Sequence, residues 1–160
     1  MGLLIDYFVA DSDTDAAKTI DWPGGPGEGS GRWQDRLLGR RGGYSVISEK
    51  LIEPVVVLGS LEELLTGRAF EAQLADPESR PVIALRNEGE RLVFRIGEFL
   101  VTALRGAAER DVLGLADDWS EIEEFSNRYP AEDLKLFLRD FKVMCDGVEP
   151  HQAVYCWVSV

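Results

Sequence analysis

Residues 130–160 set side by side two elements that only the middle of a fold can satisfy. Leu134, Phe137, Leu138, Phe141, Met144 and Cys145 recur at the spacing of one helix face. Pro130 suits the first helical position, where its missing N–H would be unpaired anyway. Glu132 and Asp133 sit in the first turn, where the positive end of the helix dipole favours them, and Gly147 is a natural stop. After a turn over Gly147–His151, Ala153–Val160 runs as an almost unbroken apolar strand. Val154, Cys156, Val158 and Val160 face one way and Tyr155 and Trp157 the other, so both faces need cover. The strand is expected inside a sheet, not at its edge.

Upstream, Leu3–Ala10 reads as a strand and Asp13–Asp21 as a helix, with Ser12 at its N-cap and Asp15 three residues on. A Gly/Pro-rich loop then occupies residues 22–43, and Pro23–Gly31 alone holds five glycines and two prolines. A strand is expected to start at Tyr44, and Pro54–Leu58 reads as another because of its run of three valines. Ser60 and Glu63 have the spacing of a capping box, which opens a helix with Leu61, Leu64 and Leu65 on its apolar face. A further helical turn covers Ala69–Ala75. Pro81–Arg86 and Arg91–Ile96, joined by Asn87-Glu88-Gly89-Glu90, give the clearest hairpin signal in the chain. Phe99, Leu100, Ala103, Leu104 and Ala107 mark a helix, and another is expected from Ser120 to near Asn127. Strands and helices do not alternate regularly, and the hairpin falls mid-chain. The order predicts an α+β fold, a mixed or mostly antiparallel sheet with helices packed against it and the C-terminal strand central.

At 160 residues, 45% of them hydrophobic, the chain suits a single globular domain spanning 1–160. Met1–Ala10 has no basic lead and carries Asp6, so it reads as a first strand and not as a signal peptide. No apolar run is long enough to span a membrane. The expected location is cytoplasmic. A net charge of −12, from 17 basic and 29 acidic residues, argues against nucleic acid or an anionic membrane as partner and permits a basic protein. Oligomeric state is not readable.

Each chemical constellation has a plainer explanation. The glycine loop lacks the Gly-Lys-Ser/Thr ending of a P-loop, and no G-x-G-x-x-G occurs. Its flanking Trp22, Arg32, Trp33 and Arg36 still make it the best candidate for contact with a small anionic ligand. Cys145, His151 and Cys156 lack the close cysteine pair of a structural zinc site, so buried free thiols and no metal or cofactor are expected. His151, the sole histidine, reads as an exposed turn residue with nothing to activate it. Ser60 lies outside any G-x-S-x-G pattern. Glu109–Asp133 carries nine acidic and two basic residues. A run of this kind is usually a solvated face. As a functional surface it would dock a basic partner through Asp117, Asp118, Glu121 and Glu124, with Trp119 as aromatic anchor.

The opening Met1-Gly2-Leu3-Leu4-Ile5-Asp6-Tyr7-Phe8, the Leu64-Leu65-Thr66-Gly67 helix ending and the closing helix-then-strand resemble the YfbM-like small bacterial proteins of unknown function. The resemblance implies a compact α/β or α+β domain and no assigned activity. The expected function is a non-catalytic protein-interaction module, inhibitor-like or immunity-like. The alternative is a small-molecule enzyme or sensor that binds an anionic ligand under the glycine loop.

Overall fold

A computed structural model describes residues 2–29 and 43–160. Five antiparallel strands form one sheet in the order β2-β1-β5-β4-β3: β1 Leu4–Ala10, β2 Ile47–Glu49, β3 Val82–Arg86, β4 Arg91–Arg95 and β5 Ala153–Ser159. The fold is α+β, and the C-terminal strand is central. Along β5, Tyr7 pairs with Cys156 on one side and Phe94 pairs with it on the other.

Each face of β5 is buried in its own core. Val154, Cys156 and Val158 join the larger one, beneath α2 (Val56–Thr66), α4 (Glu98–Gly106), α5 (Glu109–Leu113), α6 (Ala116–Ser120) and α7 (Ala131–Asp146). Tyr155 and Trp157 join Phe8, Ala16, Ile20 and Val93 in the smaller one. That second face is roofed by α1 (Asp13–Ala17), by the 3₁₀ turn Lys18–Asp21 and by the start of the glycine loop. Ser12 caps α1 as expected, its Oγ accepting from the Asp15 N–H at 3.1 Å. Gly25 lies buried at φ +74, where a Cβ would come within 3.2 Å of the Trp157 ring. Only glycine lets the chain lie this close to the sheet.

The stripe on α7 lands as its spacing requires: Leu134, Phe137, Leu138, Phe141 and Cys145 are all buried. Tyr7 meets Phe137 and Phe141 edge-on at 5.7 and 5.3 Å, and its hydroxyl donates to the Ile52 carbonyl at 2.8 Å. Pro130 stands one position earlier than expected, as the extended N-cap residue, and Gly147 ends the helix without a left-handed turn.

Other expectations are corrected. The valine run is not a strand, because Val56 begins α2. The N–H groups of Val55, Val56 and Val57 donate to the Glu53 carboxylate at 2.9, 2.5 and 2.6 Å. One side chain thus satisfies donors that a helix start leaves unpaired, which outweighs the β-preference of valine. Ser60 is accordingly inside the helix, donating to the Val57 carbonyl at 2.6 Å instead of capping. Leu64 is exposed while Glu62 is buried, so the inward face is rotated from the one expected. β2 begins at Ile47, not Tyr44. Ser120 ends α6 instead of opening a helix, and a 3₁₀ turn at Glu123–Phe125 follows before Ser126 and Asn127 turn left-handed. Gly67 closes α2 at φ +75.

Replacing Glu53 by Ala is expected to lower unfolding free energy by about 1–2 kcal/mol, the range for losing a helix N-cap. Denaturant unfolding measures this, and Glu53→Gln, which keeps acceptor oxygen, should cost less.

Candidate functional site

The acidic segment lies on α6, the Glu123–Phe125 turn and the start of α7. Asp117, Asp118, Glu121 and Glu124 are all exposed. None of the four is within ion-pair distance of a cation among the described residues. Trp119 does not stand out among them as an anchor. It is fully buried, and its indole N–H donates to Ser60 Oγ at 3.0 Å and to the Val57 carbonyl at 3.2 Å. A large apolar ring with one polar atom is most stable where the ring is dry and the N–H is paired, and α2 supplies both. Trp119 pins the acidic segment to the core from beneath. Trp119→Ala should therefore cost about 3–5 kcal/mol of stability in a chemical melt, whereas charge-neutralising changes at Asp117 or Asp118 should stay within about 0.5 kcal/mol.

An aromatic chain leads from this anchor to an open groove. Trp119 meets Phe125 at 5.5 Å, Phe125 meets Tyr129 at 5.3 Å, and the Tyr129 hydroxyl donates to Glu49 Oε2 on β2 at 2.7 Å. The groove encloses about 890 Å³ between β2, an edge strand of the sheet, and α7. Its apolar lining includes Val9, Ile47, Leu136, Phe137, Val143 and Met144, and Glu49, Asp133 and Asp140 add three carboxylates. Leu136 and Val143, two helical turns apart, are 57% and 67% exposed. No sequence pattern points to this groove, because Leu136 and Val143 fall off the buried stripe and β2 is only three residues long.

Burial pushes the Glu49 carboxyl above its ordinary range, with Tyr129 drawing it back and Asp133 adding to the rise. The Tyr129 hydroxyl is itself held high by burial and by its bond to Glu49. With a folded-state value above the unfolded one, Glu49 contributes stability that is full below the unfolded pKa of about 4.3 and is lost as pH rises through the folded value. Tyr129→Phe removes a donor that favours the carboxylate. Carbonyl-detected NMR titration should show the Glu49 midpoint moving further up in that variant, and the stability lost between acid and neutral pH growing with it.

The remaining sequence candidates divide. Trp22 is half-buried and stacks on Tyr44 at 5.9 Å. Arg32, Trp33 and Arg36 lie outside the described residues. Near the described part of the glycine loop stand two carboxylates, Asp6 and Glu28, and burial raises the pKa of Asp6 while Ser48 donates to it at 2.6 Å. Cys145 and Cys156 are buried free thiols in the larger core, the former pushed up to about 12 by burial. His151 is exposed in its turn, 3.4 Å from Asp11. The adjoining polar cleft of about 570 Å³ holds Asp13, Glu78, Arg95 and Tyr155. These brace one another: Arg95 binds Asp13 and Glu78 at 2.5 and 2.6 Å, and the Tyr155 hydroxyl donates to Asp13 at 2.8 Å.

No group of carboxylate, histidine and cysteine side chains among the described residues is placed to hold a metal ion. No helix among them is long and apolar enough to cross a membrane. Comparison with known proteins finds no family model, curated protein or solved structure that matches the chain.

Proposed function

We propose that the chain is a non-catalytic binding module that takes a basic protein partner on its acidic side, as an inhibitor or immunity protein would. The observation that carries this reading is the groove between β2 and α7, with its apolar floor and its carboxylates Glu49, Asp133 and Asp140. Exposed Asp117, Asp118, Glu121 and Glu124 add negative charge on the neighbouring segment, which packs on α7. An apolar centre with a charged surround is the anatomy of a protein interface: the centre supplies affinity, and the surround supplies steering and selectivity. A basic partner would seat an aliphatic or aromatic side chain against Leu136 and Val143 and set its lysines or arginines over the carboxylates.

The test begins with capture of a partner from the source cell's lysate, eluted by a salt gradient, followed by association kinetics with the purified partner. Neutralising Asp117, Asp118, Glu121 and Glu124 together to Asn and Gln should slow association at least several-fold and flatten its salt dependence. Leu136→Glu and Val143→Glu change exposed positions, so folding should survive while dissociation speeds up. Unchanged kinetics in both variants would remove this surface from consideration.

A further inference from the structure

Apart from Thr19, every buried polar side chain among the described residues gathers in one place: Glu62 on α2, Gln73 on α3 (Phe70–Ala75) and Ser79 in the loop before β3. Arg80 joins them with its side chain only 8% exposed. Beside this cluster lies a cavity of about 200 Å³, whose lining combines Gln73, Asp76, Ser79 and Arg80 with the apolar Val55, Phe70, Leu74 and Pro77. Leu74 and Pro77 are its exposed members and mark its mouth.

Two cations, Arg68 and Arg80, face two carboxylates, Glu62 and Asp76, but the hydrogen bonding among them is incomplete. Arg80 donates through Nε to the Pro54 carbonyl at 2.8 Å, through Nη1 to the Ser79 carbonyl at 2.6 Å and through Nη2 to Glu62 Oε2 at 3.5 Å. Of the five N–H groups of a guanidinium, two are left without a partner among the described residues. Glu62 is fully buried, its Oε1 has no hydrogen-bond partner among the described residues, and Arg68 stands 3.9 Å from that oxygen. Arg68 spends its short bond on Asp76 instead, at 2.6 Å. Burial pushes the Glu62 carboxyl up and the Arg80 guanidinium down, each against the pull of the other. A well-compensated pair would shift the opposite way on both sides.

We infer that this cavity is a binding site for a small carboxylate with an apolar body, its carboxylate meeting the spare N–H groups of Arg80 and its body lying against Val55, Phe70 and Leu74. Size sets the class, since a cavity of roughly 150 Å³ already takes a benzene-sized molecule. A buried guanidinium with unpaired donors selects a planar, two-oxygen anion over a neutral group of the same shape.

The probe is sodium benzoate, titrated into the full-length protein while NMR follows the Gln73 side-chain amide and the Ser79 and Arg80 backbone amides, with sodium chloride as the ionic-strength control. Saturable shifts at these groups are expected in the millimolar range usual for fragments, with benzyl alcohol binding at least tenfold more weakly. Leu74→Trp changes an exposed residue at the mouth and should abolish the shifts without lowering the melting temperature. Arg80→Lys should weaken binding at least tenfold where it folds. Absence of saturable shifts, equal binding of benzyl alcohol, or undiminished binding by Leu74→Trp would each overturn the proposal.

Discussion

Everything in this fold depends on covering β5 from both sides at once. The strand lies at the centre of the sheet and pairs along its whole length with β1, from the other end of the chain. Its odd and even residues are committed to different cores, so a slip of one residue would put Tyr155 and Trp157 where Val154 and Cys156 belong. The register is therefore fixed by burial, and the rest of the chain exists in part to supply two roofs. The larger roof comes from the helices. The smaller one comes from a five-residue helix, a 3₁₀ turn and a glycine-bearing loop that lies almost on the tryptophan ring.

Where local pattern and final environment coincide, the sequence was readable. The helical stripe of α7, the two-faced β5, the hairpin of β3 and β4 and the Ser12 cap all follow from spacing within a short window, and with them the α+β class. Pattern fails where a particular side-chain contact, near or far along the chain, decides the outcome. Three consecutive valines favour a strand until Glu53 folds back onto their N–H groups. Ser60 looks like a cap until the helix starts four residues earlier, at Val56, which leaves its hydroxyl to accept from Trp119, 59 positions away. Nothing in the pattern around Glu62 reveals that it is buried with Arg68 and Arg80 beside it. The same limit hid the candidate sites. Exposed acids on 117–124 were legible as a charge run, while the groove beside β2 is made by two elements more than 80 residues apart, and no one-dimensional pattern records it.

The surplus of negative charge has a structural corollary. Surface ion pairs such as Lys18–Asp15 and Lys135–Glu132 are screened by solvent, and at physiological ionic strength repulsion between exposed carboxylates fades over roughly 8 Å. Neither attraction nor repulsion at the surface therefore determines whether the chain folds. That is settled by the aromatic and aliphatic interior, which leaves the distribution of exposed acids free to serve recognition.

The most acidic segment shows how the two demands are reconciled. Residues 109–133 form only short helices and turns, which have little intrinsic stability as isolated elements. They hold their shape because Val112, Ala116, Trp119 and Phe125 are buried in sequence along their inner side, while the carboxylates between these anchors point outward. Each acid is thus presented on a backbone fixed by a neighbouring apolar residue, so the charge pattern is preorganised before any partner arrives. Preorganisation is what turns diffuse electrostatic attraction into a surface with a preferred geometry, because less ordering entropy is lost on contact. The buried Trp119 holds that surface from beneath, bonded to α2 and absent from the exposed face.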